Sequence, residues 1–175
     1  SSDGITWTTT AVTGVSSMIC VEYSPELDLF VTGNGLNKAY STNGTSWTTF
    51  YANWGNTTVG MAWSPTVGVF VAVGSGGVIT RSDVTGIGLW DRYLQTSTSN
   101  FSDVVCSPKL GLFVLTSSGG TAPIYYTSIN GSTWVNRGTP LVTASKIVWS
   151  PELEILCAIG TDATAMTSSD GINWV

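Results

Sequence analysis

The amino-acid sequence predicts an all-β fold built from four copies of one antiparallel unit. Two markers recur in register along its 175 residues. One is a short box of the form Ser-x-Asn/Asp-Gly-x-x-Trp, and the other is a Ser-Pro pair inside an apolar stretch. Charged residues make up only 10% of the chain. Serine and threonine take their place, and the β-branched threonine favours short strands over exposed helices.

The two markers establish the length of the repeat. The tryptophans that end the boxes are spaced by 40, 43, 44 and 40 residues, and the Ser-Pro pairs by 40, 43 and 43. The third box is a stretched version, SDVTGIGLW, over 82–90. The box tryptophans are Trp7, Trp47, Trp90, Trp134 and Trp174, and the Ser-Pro pairs begin at Ser24, Ser64, Ser107 and Ser150.

Each repeat contains the signals for four strands. An apolar run enters the Ser-Pro turn and a second one leaves it, as in VEYSPELDLFVTG over 21–33. A third strand, such as KAYST over 38–42, leads into the box. The Asn-Gly or Asp-Gly centre of the box predicts a type I′ hairpin, and its tryptophan opens the fourth strand. Four short antiparallel strands in such a repeat are typical of a β-propeller blade.

The chain is therefore predicted to be a single domain over 1–175, a β-propeller of four-stranded antiparallel blades. The repeats cover approximately 13–54, 55–97, 98–141 and 142–175. Residues 1–12 are expected to supply the outer strand of the last blade, with Thr6 to Val12 beside 164–168. This exchange would close four blades within one chain, or a larger ring such as eight blades between two chains. A surplus box also fits a segment of a longer array, so we expect self-association or neighbouring repeats of a longer parent chain.

The heptapeptides SSDGITW (1–7), STNGTSW (41–47), SINGSTW (128–134) and SSDGINW (168–174) resemble the Asp-box, or BNR repeat, of sialidase-like propellers. That family pattern is Ser-x-Asp-x-Gly-x-Thr-Trp. The version here is one residue shorter between Asp and Gly, and two copies carry asparagine in place of aspartate. The resemblance implies a structural box, whose Asp or Asn fixes the turn and whose tryptophan packs between strands. The style of the whole repeat is similar to that of phage particle proteins and secreted bacterial repeat proteins.

The residues predict no catalytic centre, metal site or cofactor. The absence of histidine excludes Ser-His-Asp and Cys-His arrangements and imidazole metal sites. The three cysteines have no CxxC spacing and are expected to be buried thiols. Resemblance to a sialidase would imply three arginines around one substrate carboxylate. Arg81 instead falls at the end of a third strand, and Arg92 and Arg137 fall on outer strands, so we expect the protein not to be an enzyme.

Acidic residues on the inner strands are the candidates for any glycosidase-type site, which needs two facing carboxylates. Glu22 is the only acid among the residues two positions before the Ser-Pro serines, and no partner is expected to face it. Asp103 and Lys146 lie near the top of their own inner strands and would form a modest polar ring with Glu22. We expect these groups to line a solvated channel.

The best candidates for ligand binding lie in FYANWGNTT, the connection over 50–58 between the first two repeats. Tyr51, Asn53 and Trp54 combine aromatic faces with an amide on a loop at the rim of the disc. Such loops commonly bind sugars or proteins. Trp54 belongs neither to the box nor to the strand before Ser-Pro, so the repeat structure does not require a tryptophan at this position.

Charge and hydropathy exclude two classes of partner, nucleic acids and membranes. The net charge is −5 and no two of the six basic residues are near neighbours, which excludes a nucleic-acid interface. No apolar run approaches the ~20 residues of a membrane span. We expect a non-enzymatic structural or adhesive module of a virion or of an extracellular protein. A carbohydrate-binding, lectin-like propeller is the alternative, and a degraded glycosidase is a third possibility.

Overall fold

The computed structural model describes residues 1–15, 17–35, 37–51, 57–94, 100–117, 124–139 and 143–175. These residues form an all-β structure of antiparallel sheets, as the sequence predicts. The helical structure among them is one 3-10 turn, Ser75–Gly77. None of the described segments forms a helix long and apolar enough to cross a membrane.

The first two sheets have four strands each, connected in sequence order. Sheet 1 contains β1 (Cys20–Ser24), β2 (Leu29–Asn34), β3 (Asn37–Ser41) and β4 (Thr48–Tyr51). Sheet 2 contains β5 (Thr58–Ser64), β6 (Val69–Gly74), β7 (Val78–Ser82) and β8 (Trp90–Leu94).

The third sheet again has four strands, and the fourth has three. Sheet 3 contains β9 (Phe101–Ser107), β10 (Leu112–Ser117), β11 (Tyr125–Ser128) and β12 (Val135–Asn136). Sheet 4 contains β13 (Ala144–Ser150), β14 (Ile155–Gly160) and β15 (Ala165–Ser168). Each sheet is one blade of a propeller, and its strands coincide with the strand signals of the repeat, of which the fourth blade has the first three.

The first strand of each blade lies at the inner edge. β1 packs on β5, β5 on β9 and β9 on β13. Within the described part of the chain, β13 and β1 do not pack on each other to the extent that these pairs do, so the four blades form an open arc.

The Ser-Pro turn between the first and second strands is held by its serine. Ser24 Oγ accepts a hydrogen bond from the backbone N–H of Leu27 at 3.1 Å, and the serines at 107 and 150 accept the equivalent bond at 3.2 Å. The residue before each second strand has a left-handed backbone, namely Asp28 (φ 48°), Gly68 (66°), Gly111 (58°) and Glu154 (55°). All four turns therefore share the left-handed residue, and the turns of blades 1, 3 and 4 also share the serine hydrogen bond.

The box turn is held by a side chain, and the predicted type I′ hairpin is wrong. Asn43 Oδ1 accepts hydrogen bonds from the backbone N–H groups of Thr45 (3.0 Å) and Ser46 (2.8 Å). Ser41 Oγ accepts one from Gly44 N–H at 2.8 Å. Gly44 has φ 71°, whereas the asparagine before it does not have positive φ, so the turn needs one left-handed residue and not two. The same bonds recur in the boxes that begin at Ser1, Ser128 and Ser168.

Residues 1–12 form no strand in the single chain, and residues 1–11 are exposed. The outer side of β15 is bonded instead to the last residue, since Val175 and Thr167 exchange two backbone hydrogen bonds of 2.8 and 3.0 Å. The expected pairing of Thr6 to Val12 beside the fourth blade is therefore not what the structure has within one chain. Pairing between two chains stays a prediction.

Candidate functional site

The inner edge of the arc contains a cleft of about 350 Å³ between the second, third and fourth blades, with Glu22 of the first at its margin. The inner strands β1, β5, β9 and β13 contribute its walls. Its charged lining residues are Glu22 and Asp103, and its largest apolar ones are Trp63 and Trp149. The structure thus brings Glu22 and Asp103, two members of the predicted polar ring, to one place.

Glu22 connects the first blade to the second. Its Oε1 accepts a hydrogen bond from the backbone N–H of Trp63 at 3.3 Å, and Glu26 of the same blade accepts one from Trp63 Nε1 at 2.6 Å. Burial raises the pKa of Glu22 to about 7, and the nearby charge of Asp103 acts in the same direction. Asp103 of β9 therefore lies close enough to act on Glu22, as the predicted polar ring implies.

Asp103 connects the third blade to the fourth in the same way. Its Oδ2 accepts a hydrogen bond from Ile147 N–H at 3.2 Å and lies 3.5 Å from Lys146 Nζ. Burial raises the pKa of Asp103, although the hydrogen bond and Lys146 oppose this. A Cβ on Gly60 of β5 would lie 2.6 Å from Asp103 Oδ1 and 3.1 Å from its Cα, so glycine lets the third blade approach this closely.

The two carboxylates are thus engaged by the backbone of the next inner strand. A general acid or nucleophile must instead be free to reach a substrate atom. The arrangement of Glu22 and Asp103 is suited to holding neighbouring blades in register. Among the described residues, no group of three or more Asp, Glu or Cys side chains is placed to hold a metal ion.

The arginines lie away from this cleft, as the sequence predicts. Arg81 of β7 donates from Nε to the carbonyl of Asn130 in the next box at 2.8 Å. Arg137 donates from Nε to Thr127 Oγ1 at 2.8 Å, at the outer edge of blade 3. Arg92 lies in the outer strand β8. The three guanidinium groups therefore do not converge on one carboxylate site.

Of the predicted ligand-binding residues, Tyr51 lies within the described residues, and Asn53 and Trp54 lie outside them. Tyr51 ends β4 and is 73% exposed. It borders a cleft of about 260 Å³ whose other walls include Gly14, Asn37, Thr49 and Phe50. The structure thus places one aromatic face beside hydroxyl and amide groups on the outer part of blade 1.

Lys38 lies under this second cleft, and the sequence reasoning missed it. The side chain is fully buried, its Nζ donates to the carbonyl of Gly35, and burial lowers its pKa to about 7. The signal that could have found it is its place in the repeat. Lys38 pairs with Gly33 as Ile79 pairs with Val73 and Tyr125 with Thr116, so a lysine stands where blades 2 and 3 carry large apolar side chains.

The cysteines are free thiols, as expected. The expected burial is correct for Cys106, whereas Cys20 and Cys157 are only half-buried. Burial raises the pKa of Cys20 and of Cys106 to about 11, so both are protonated and unreactive near neutral pH.

The comparisons with known proteins establish the fold. No protein-family description matches the sequence, and no curated protein matches it either. Among solved structures, the chain is similar to one from the nidogen/laminin complex, with a TM-score of 0.73 and 13% identity over 90% of this chain and 63% of that one. It is similar to the GH74 enzyme of Niastella koreensis, with a TM-score of 0.68 and 15% identity over 90% of this chain and 23% of that one.

A third similar structure is the dihydro-heme d1 dehydrogenase NirN in complex with DHE, with a TM-score of 0.70 and 14% identity over 91% of this chain and 36% of that one. The chain spans less than two thirds of the length of each of these structures. They share propeller architecture and include enzymes as well as a protein complex. At these identities the likeness concerns the fold: the chain is an all-β propeller of four repeated blades.

Proposed function

We propose that this chain is a non-enzymatic structural or adhesive propeller module, carried by a phage particle or a secreted bacterial protein. The observation that carries the proposal is the use of the inner-edge acids. Glu22 and Asp103 each accept a backbone hydrogen bond from the following blade, at 3.3 and 3.2 Å. The assignment to a phage particle or secreted protein rests on the style of the repeat and its Asp-box-like turns.

An activity assay tests the non-enzymatic part. The chain is incubated with aryl-glycoside reporters, a sialic-acid reporter included, beside the variant Glu22→Gln. We expect no turnover above the level of the variant. Turnover that disappears in Glu22→Gln, while an exposed control such as Glu152→Gln retains it, would overturn this part of the proposal.

Proteomics of the source organism tests the location. Peptides of the parent protein are sought in purified particles, in the secreted fraction and in washed cells. We expect enrichment in one of the first two fractions. Enrichment confined to the washed cells would contradict the proposal.

A carbohydrate-binding, lectin-like module is the second candidate, and Tyr51 is the observation that favours it. Its exposed ring borders the cleft of about 260 Å³ on blade 1, beside Asn37 and Thr49. An aromatic face next to amide and hydroxyl groups is suited to a sugar ring.

Glycan-array binding by the wild type, Tyr51→Ala and Trp54→Ala tests the lectin proposal. The matched control is Trp7→Ala, which removes an equally exposed aromatic ring from the first box. The lectin proposal predicts binding that is lost in Tyr51→Ala and retained in Trp7→Ala. Absence of binding, or binding that Tyr51→Ala leaves unchanged, would contradict it.

A further inference from the structure

The apolar cores of this protein lie between neighbouring blades. One cluster joins Val31 of blade 1 to Met61 and Trp63 of blade 2. A second joins Val71, Val73 and Ile79 of blade 2 to Val104 and Phe113 of blade 3. A third joins Val114 and Tyr125 of blade 3 to Ile147, Leu156 and Met166 of blade 4. Each blade therefore uses one face toward the preceding blade and the other toward the following blade.

The repeat identifies which residues belong to each face. The position three residues before the Ser-Pro serine faces the preceding blade, and the position two before it faces the following blade. The first position is filled by Val21, Met61, Val104 and Ile147, and the second by Glu22, Ala62, Val105 and Val148. The outward faces of the two end blades can be found in the same way.

The first blade has an uncovered face toward a preceding blade. Val21 is 59% exposed, whereas Met61, Val104 and Ile147 at the same position are 3–6% exposed. Ile19 and Tyr23 flank Val21 on the same side of β1 and are also exposed. We call these three residues the leading face.

The fourth blade has the complementary uncovered face. Val148 is 59% exposed, whereas Ala62 at the same position is 4% exposed. Ile159 is 49% exposed, whereas Val73 at the same position is 1% exposed. Cys157 lies between them on β14 and pairs with Val148. We call Val148, Cys157 and Ile159 the trailing face.

The box of blade 1 lacks a neighbour that other boxes have. A Cβ on Gly131 would lie 2.7 Å from Val71 of the preceding blade, and one on Gly171 would lie 3.2 Å from Val114 of the preceding blade. A Cβ on Gly44 would have only Phe30 of its own blade within 4 Å. In the repeat, the residue equivalent to Val71 and Val114 on blade 4 is Cys157, the centre of the trailing face.

We propose that the leading face of one copy binds the trailing face of a second copy, and that two copies form one ring of eight blades. At each of the three internal junctions, the trailing side of one blade covers the leading side of the next. The leading face of one copy would therefore meet the trailing face of the other, in a head-to-tail contact. Head-to-tail contacts close into a ring when the rotation permits, and propellers typically have four to eight blades. The contact is the same whether the module is adhesive or a lectin, so this inference stands apart from the proposed function.

The mass of the chain in solution tests this proposal. Sedimentation equilibrium over a concentration series should give a species of twice the 18.4 kDa of one chain. A strict monomer would overturn the proposal and leave further repeats of a longer parent chain as the occupants of the two faces. A series of masses beyond two copies would overturn the closed ring.

Two single variants test the faces themselves. Val21→Asp charges the leading face and Val148→Asp the trailing face, and both side chains are exposed in the single chain, so far-ultraviolet dichroism should be unchanged. Each variant alone should dissociate at least tenfold more readily, because every junction would bury an unpaired charge. The control Ile129→Asp, at a 70% exposed position in the box of blade 3, should associate like the wild type.

Mixing the two variants tests the head-to-tail direction. A ring of one Val21→Asp copy and one Val148→Asp copy has one junction with both wild-type faces, so the mixture should regain the two-copy mass that neither variant has alone. Failure of the mixture to associate, or dissociation caused by only one of the two variants, would overturn the head-to-tail contact.

Discussion

At the scale of single residues, the side chain of the box asparagine or aspartate holds the turn. The sequence predicts instead that two left-handed residues form it. In each seven-residue box, Oδ1 of this residue accepts two backbone N–H groups, and the serine two positions before it accepts a third. The box of blade 3 also touches the preceding blade, since Arg81 donates to the carbonyl of Asn130. The turn is therefore a connection within the blade and between blades.

Removing one such side chain should measure this contribution. Asn130→Ala leaves the N–H groups of Ser132 and Thr133 without their acceptor, and we expect a loss of about 1–3 kcal/mol in the free energy of unfolding. The matched control is Asp3→Ala, which removes the same bonds from the exposed first box, outside any strand. Chemical denaturation of both variants checks this, and equal losses would contradict it.

The box tryptophan should contribute more than its turn. Trp134 lies with its ring centroid 6.3 Å from that of Phe113 and packs against the core between blades 2 and 3. We expect Trp134→Ala to cost about 3 kcal/mol, the lower end of the range for large aromatic deletions, because the ring is only half-buried. Trp7→Ala, at a 74% exposed position, should leave the unfolding midpoint unchanged. A small loss for Trp134→Ala would mean that the box tryptophan is not part of the core.

At the scale of strands and turns, the markers in the sequence predict nearly every element, because each strand is bounded by a turn with its own chemistry. They do not predict the left-handed backbone at Asp28 and Glu154, since glycine occupies that position only at 68 and 111. They do not predict how near Asp103 comes to Glu22 either. That proximity depends on the angle between blades 1 and 3, which is a property of three-dimensional packing. Lys38 could have been found from the repeat, because the same position carries a large apolar side chain in blades 2 and 3.

A turn substitution tests the backbone assignment in blade 4. Ala163, between β14 and β15, is exposed and has φ 61°, a conformation that costs an L-residue about 1–2 kcal/mol. Ala163→Gly should therefore raise the free energy of unfolding by about 0.5–1 kcal/mol after the entropy of glycine is subtracted. Ala165→Gly, two residues later in β15, should lower it. Destabilisation by both variants in thermal unfolding would contradict the assigned turn.

The carboxyl groups of Glu22 and Asp103, which connect neighbouring inner strands, predict that the stability of the protein depends on pH. Burial raises the pKa of Glu22 to about 7 from an ordinary value of 4.5, so the folded state binds this proton more tightly than the unfolded chain does. The contribution of protonated Glu22 to the free energy of unfolding is full below its unfolded pKa and is lost as the pH rises toward about 7. The pKa of Asp103 is also raised, and its contribution has the same sign.

The variant Glu22→Gln isolates this effect, because its amide oxygen can still accept the Trp63 N–H. Urea unfolding between about pH 5 and about pH 8 should show a smaller decline for the variant, which becomes more stable than the wild type at the upper end. Glu152→Gln, an exposed site, should follow the wild type at every pH. Parallel curves for Glu22→Gln and the wild type would contradict the burial of this carboxyl.

At the scale of the whole molecule, stability comes from junctions between blades, as in other repeat architectures where each unit is stabilised by its neighbours. Blades 2 and 3 have two covered faces, whereas blades 1 and 4 have one each. The repeat count could be predicted from the spacing of the markers, and the blade architecture from the strand and turn signals within each repeat. The open arc could not, because ring closure depends on the angle between blades, which the spacing of markers does not contain.

Residues 1–12 provide a test at the same scale. Because they form no strand in the single chain, their deletion should leave its free energy of unfolding unchanged in dilute solution. If the deletion instead weakens association at high concentration, the expected strand exchange takes place between two chains. A deletion that unfolds the dilute chain would contradict the structure of this segment.

Native-state hydrogen exchange tests the central claim most directly, that each blade is stabilised by the neighbours on its two faces. In dilute solution, the amides of β5–β7 and β9–β11 should be the slowest to exchange, and those of β1 and β13–β14 should be faster. Raising the concentration should slow exchange in the two end blades and leave the central blades unchanged. Uniform protection of all four blades at every concentration would contradict the account.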